Sequence, residues 1–181
     1  MKPDLPVLWA VCCTAQLSAE VSPTLESRSE CSLGSGLTCF GSKVLDRFME
    51  LNEQEEVEGS YLLVDSITHD YEGSSKRPAK QGSSANSPFL GKGPRECEAL
   101  LEELNSNSRL QVNSKLFIIL DERSLGDESV LVVNHRREDI ATVRFGFETA
   151  LMLLPCYTTG HREIVEDQEE AQEQHDGVLR E

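Results

Sequence analysis

The sequence predicts an α/β or α+β fold: one small mixed sheet of about four strands with helices packed on it, plus a flexible N-terminal extension. Three observations carry this. KLFIIL (115–120) and SVLVV (129–133) are continuously apolar, as strands buried on both faces are. ATVRFGF (141–147) alternates: Ala141, Val143, Phe145 and Phe147 share one side, Thr142 and Arg144 the other, the pattern of a half-buried strand. Ahead of them, PRECEALLEELN sets Cys97, Leu100, Leu101 and Leu104 at i, i+3, i+4 and i+7, which is one helix face.

The elements follow in chain order. Lys2, the apolar run VLWAVCCTA (7–15) and the small residues LSA (17–19) outline a weak signal peptide over 1–19. Pro3, Asp4 and Pro6 oppose that reading, and a short strand or a plain extension is the alternative. Residues 20–41 are rich in Ser, Gly, Glu and Thr and have no period. GSGLTCFGSK (34–43) imitates a phosphate loop, with Gly36 and Gly41 correctly separated. Ser42 and Lys43 stand in the wrong order, and ESRSECSL upstream is no strand, so nucleotide binding is discarded. Ser42 instead caps a helix over about 42–53, with Val44, Leu45, Phe48, Met49 and Asn52 on one face. Residues 1–55 are thus read as an extension, and 56–181 as a single α/β domain.

Within that domain SYLLVDS (60–66) has strand character. About 68–93 is a Ser-, Gly-, Lys- and Pro-rich stretch, read as a disordered insertion; Ser74 to Arg77 in it is a kinase target, a basic patch or plain linker. Pro94 suits a first helical turn, and Glu96 and Glu98 favour its positive end. DERSLGDE (121–128) is a loop between strands, and ETALMLL (148–154) a short helix stopped by Pro155. HREIVEDQEEAQEQH (161–175) is helical with a thin stripe of Ile164, Val165 and Ala171, and Gly177 ends it.

Composition narrows the function. Seventeen basic against 32 acidic side chains leave a net charge of −15, which excludes a nucleic-acid binder and disfavours anionic membranes. No run of about 18 apolar residues exists to span a bilayer. The six cysteines have neither C-x-x-C nor zinc spacing, and the 121–128 carboxylates fail the EF-hand pattern at Arg123, Leu125 and Val132, so no metal and no cofactor are expected. Neither G-x-S-x-G nor a third group beside Cys156 and His161 in PCYTTGH supports nucleophilic catalysis, so the balance leans against an enzyme.

What remains is surface charge. The region 161–181 carries Glu163, Glu166, Asp167, Glu169, Glu170, Glu173, Asp176 and Glu181 against Arg162 and Arg180. A docking surface for a basic protein partner is expected there, on Glu166, Asp167, Glu169, Glu170 and Glu173, with the basic cluster His135, Arg136 and Arg137 beside it. The expected function is a non-enzymatic acidic accessory or protein-binding module in the cytoplasm. Two alternatives stand: a secreted, effector-like protein held by Cys31, Cys39, Cys97 and Cys156, and an accessory enzyme of a fungal biosynthetic pathway with an unrecognised site.

KLFIILDERSLGDESVLVVN, then ATVRFGFETALMLLPCY, then an acidic helix closing with DGVLR resemble a small family of unknown function with bacterial and fungal members. The likeness covers about 60–181: Leu120-Asp121, Val130 to Asn134 and Asp176 to Arg180 fall at its motifs, and Asn134 departs from the family's acid. The resemblance implies a compact α/β domain of fungal type and carries no activity.

Overall fold

The computed structural model describes residues 7–15, 39–53, 60–76, 87–136 and 139–180. These form β1 (Leu8–Cys13), α1 (Cys39–Glu53), β2 (Tyr61–Val64), α2 (Pro94–Asn107), β3 (Val112–Leu120), α3 (Ser124–Asp127), β4 (Ser129–Arg136), β5 (Asp139–Gly146), α4 (Phe147–Thr159) and α5 (Ile164–Glu173). The strands make one mixed sheet in the order β2-β1-β3-β4-β5. β1 is parallel to β2 and to β3, whereas β4 and β5 return as antiparallel hairpins. The expected α+β class holds, with five strands in place of four.

The additional strand is β1, the run that imitates a leader. Trp9 pairs with Tyr61 on one side, and Cys12 with Ile119 on the other. Its apolar continuity has the same cause as that of β3: both faces are covered. Ala10 and Cys12 enter the core on one face of the sheet, and Val11 and Cys13 the core on the opposite face. The boundary expected near residue 55 therefore does not isolate an extension. β1 lies inside the sheet, and α1 packs Leu45, Phe48 and Met49 into the same core as Phe147 and Leu151 of α4. α1 also begins at Cys39, earlier than the expected cap at Ser42, so Gly41 to Lys43 of the loop-like motif are helical, while Gly34 and Gly36 lie outside the described residues.

From β1 the chain moves through α1 outward to β2, then through α2 back past β1 to β3. Crossovers of one hand that reverse direction must place their helices on opposite faces. Accordingly α1 and α4 cover one face, where Phe48 meets Phe147 edge-on at 5.4 Å. α2 covers the other with Cys97, Leu101 and Leu104 over Phe117 and Ile119.

Parts of the expected insertion are built into this second layer. Phe89 is fully buried, the Ser87 hydroxyl donates to the Cys13 carbonyl (2.9 Å), and the Gly91 N–H donates to the Thr14 carbonyl (2.8 Å). Residues 77–86 of that stretch lie outside the described residues. Nor does Pro155 stop α4, which continues to Thr159 and closes at Gly160 with φ 75°. A proline inside a helix costs about 3 kcal/mol in the absence of compensation. The offset here is burial of Tyr157 two residues further on, together with the hydrogen bonds it makes.

Candidate functional site

The crevice beyond the carboxyl ends of β1 and β3 is where a sheet of this order changes direction, and where ligands bind in such folds. The chain's own turn at 87–91 packs against β1 there, and Thr14 closes onto Leu120 by a 2.9 Å backbone hydrogen bond. At the end of β3, Asp121 accepts from Arg123 N–H, Ser124 N–H and the Arg144 guanidinium. Asp127 accepts from Ser129 and from Arg123. The segment expected as a loop is the short helix α3, and these two carboxylates are fully committed to arginines and hydroxyls. Among the described residues no group of three or more His, Cys, Asp or Glu side chains can hold a metal ion.

The expected His135–Arg137 cluster does not exist as one patch. His135 and Arg136 are consecutive in β4, so the pleat sends them to opposite faces. Arg137 lies outside the described residues. Arg136 turns towards the α4–α5 corner, donating to both carboxylate oxygens of Glu163 (2.9 and 3.1 Å) and to the Tyr157 carbonyl (3.2 Å). His135 turns towards α2, where Nδ1 lies 2.7 Å from Glu98 Oε1. Lys115 donates to the same oxygen and also meets Glu102 at 2.8 Å. Burial alone would raise the Glu98 carboxyl, but Lys115 and His135 outweigh it and hold it below the ordinary glutamate range. His135 Nε2 is sealed from solvent with no partner among the described residues, so this group ties α2 to the sheet and presents no base to a substrate. In the sequence Glu98 has only a place near the positive end of the helix; its pairing was hidden, because it sits one place from the apolar stripe and His135 is 37 residues away.

The acidic helix is the other expected element, and the structure divides its residues. Asp167 is not a surface charge; it is 1 % exposed. It accepts from the Tyr157 hydroxyl and from Arg162 Nε at 2.6 Å. Burial, followed by the hydrogen bond to Asp167, pushes the Tyr157 phenol far above its usual value, so it stays a donor. Ile164 and Ala171 pack into the core on the same side, and Gln168 Nε2 donates to the Thr142 carbonyl of β5 at 2.9 Å. α5 is thereby fixed to α4 and to the sheet edge.

Glu166, Glu169, Glu170 and Glu173 are exposed on its outer side, as expected. Arg162 reaches Glu170 at 3.6 Å. The last turn of α5 holds no basic residue, so its carboxylates add to the negative end of the helix dipole. Val165, 54 % exposed, stands among them. Sequence reasoning found the four outer glutamates from charge alone; it missed Asp167's burial because an acid within an acidic run carries no mark of its partners.

The remaining expectations concern thiols. Cys12, Cys13, Cys97 and Cys156 are free. Cys97 lies in the α2-side core, whereas Cys156 is on α4 against the opposite face, so the sheet separates them. Cys31 and the side chain of Cys39 lie outside the described residues. His161 donates its N–H to the Cys156 carbonyl (3.0 Å) and pairs its ring with the Thr159 hydroxyl (2.8 Å), which makes PCYTTGH a helix-terminating corner. No helix among the described residues is long and apolar enough to cross a membrane.

Comparison with known proteins gives no match: no protein-family model, no curated protein and no solved structure is significantly similar to this chain.

Proposed function

We propose that the protein is a non-enzymatic, acidic protein-binding module that docks a basic partner on the outer face of α5. The observation that supports this reading is the placing of charge against helix stability. Acids are stabilising in a first turn, but Glu170 and Glu173 sit towards the negative end of α5, where each costs about 0.3–1 kcal/mol. Glu170 has a 3.6 Å contact with Arg162 in partial return, and Glu173 has no ion pair among the described residues. Meanwhile Asp167, Arg162 and Gln168 hold the helix from beneath, so the four outer glutamates are offered on a rigid frame. A preorganised field of one sign raises the association rate with a basic surface and rejects acidic competitors.

The test is affinity enrichment from the native host extract. Wild-type protein is compared with Glu166→Gln/Glu169→Gln/Glu170→Gln/Glu173→Gln at about 50 mM and about 300 mM salt, which brackets the screening range. The expected result is a basic partner retained by the wild type at low salt, released at high salt, and lost by the quadruple variant. Equal recovery on both proteins overturns the reading.

A further inference from the structure

We propose that the outer edge of β5, beside α5, receives an extended basic segment of the partner as an added strand. This rests on the protein-binding reading above and specifies how the partner is held. The bonding parity of β5 carries the argument. The Arg144 carbonyl accepts from Leu179 N–H (2.9 Å), and the Gly146 N–H donates to the Leu179 carbonyl (2.8 Å). Backbone groups of one residue in an antiparallel pair point the same way, so the even-numbered residues of β5 face away from β4. The N–H groups of Thr142 and Arg144 and both groups of Ile140 therefore point outward. α5 packs beside this edge, but among the described residues the hydrogen bonds to it are those of the Gln168 amide, on the Thr142 carbonyl, and of Leu179, which bridges to Phe145.

Both outer edges of the sheet carry contacts from the chain itself, and on β5 these leave the Ile140 groups and the Thr142 and Arg144 N–H groups without a partner among the described residues. On β2, Ser75 N–H donates to the Tyr61 carbonyl (3.0 Å) and the Ser75 hydroxyl accepts from Leu63 N–H (2.8 Å), so the chain covers its own edge. Open edges recruit strands, and natural proteins leave one open where pairing is used.

Space and chemistry agree with this occupant. A cavity of about 270 Å³ lies between β5 and α5, with Thr142 and Arg144 on one wall, Gln168 and Gln172 on the other, and Gly177 at one end. Helical spacing sets the exposed Val165 and Glu169 next to Gln168 and Gln172 of this wall. An incoming strand meets outward N–H donors, an apolar contact and negative charge. The matching segment is extended, with lysine or arginine alternating with aliphatic residues. A second copy of this chain, at net −15, brings the wrong charge. Leu179 already makes the same kind of contact at Arg144 and Gly146, and the partner strand takes the outward groups nearer Ile140, leaving the Gln168 amide in place.

The test uses the full chain, isotopically labelled, titrated at low salt with acetyl-Lys-Val-Lys-Val-Lys-Val-amide and with a twin N-methylated at alternate residues. Expected are slowing of amide exchange at Thr142 and Arg144 by at least about tenfold at saturation, and at least about tenfold weaker binding of the twin. Binding without protection of those amides, equal binding of the twin, or no binding overturns strand addition. Protection of the same amides in a peptide-free dimer overturns the choice of occupant. The quadruple glutamate variant separates the two readings. If it binds the unmethylated peptide with undiminished affinity and full protection, strand addition stands and the acidic-face reading falls.

Discussion

Arg144 on β5 reaches across the full width of β4 to Asp121 beyond the end of β3, with Ser129 of β4 hydrogen-bonded to the same guanidinium at 3.1 Å. One side chain thus fastens three strands. Arg144→Met keeps the volume and removes the charge, leaving Asp121 half-buried beside an apolar chain. Breaking one partner of such a pair costs roughly 2–4 kcal/mol. Urea unfolding measures it, and a loss below about 0.5 kcal/mol, the range of an inert surface change, removes Arg144 from this role.

The same pair predicts an acid response. Burial alone would raise Asp121, but the Arg144 guanidinium outweighs it and holds the carboxyl below the ordinary aspartate range; Glu98 is held down by Lys115 and His135. A carboxyl whose folded pKa is lowered contributes stability above its unfolded value, about 4, and loses it as pH falls through the lower folded one. Acid also relieves the repulsion of a −15 chain, so wild type and variant must be compared. Between about pH 5 and pH 2, stability should fall less steeply in Arg144→Met than in wild type. Parallel curves would contradict this.

Asp167 and Glu169, two positions apart on α5, should behave oppositely. Asp167→Asn weakens the buried contact with Arg162 and Tyr157 and should cost about 1–3 kcal/mol, whereas Glu169→Gln should change stability by less than about 0.5 kcal/mol while weakening partner association. Thermal unfolding of both variants decides it; a stable Asp167→Asn would return that residue to the surface-charge set.

How much of this was legible follows from what each residue type can signal. β3 and β4 were readable because LFIIL and VLVV have no polar interruption, and the even–odd pattern of β5 put Val143 and Phe145 inward, as found. β1 was hidden because six apolar residues near a chain start read the same whether they are a leader or a strand covered on both faces. The HRR cluster misled for the opposite reason: neighbours in sequence are not neighbours in a strand, and Arg136 and His135 end on different layers. Asp121 with Arg144, and Glu98 with Lys115 and His135, pair across 17 to 37 residues, beyond the reach of any local period.

Thiol reactivity separates the cysteines. Burial pushes the Cys13 and Cys97 thiols up to about 12 and raises Cys12 as well, while Cys156 is only partly buried. Reactivity follows the thiolate and its access. Among these four, brief alkylation of the native protein near neutral pH should label Cys156 first, and Cys12, Cys13 and Cys97 only on unfolding. Peptide mass mapping reads the order; early labelling of Cys97 would contradict the packing of α2.

Deleting residues 1–19 should abolish folding, since it takes β1 from between β2 and β3 and exposes the edges of both. The expected outcome is loss of a cooperative unfolding transition. A truncated chain that unfolds cooperatively with wild-type midpoint would remove β1 from the sheet.

The position of β1 has a consequence for how the protein comes into being. Thr14, just past the strand, closes onto Leu120, a residue 106 positions later. During vectorial synthesis at about 5–20 residues per second, the ribosome needs roughly 5–20 s to deliver that neighbour. For all that time LWAVCC has β2 as its one available neighbour in the sheet, and its β3 side stays unpaired. An apolar strand left with one side unpaired is the kind of exposed segment that is prone to aggregate until its late neighbour arrives.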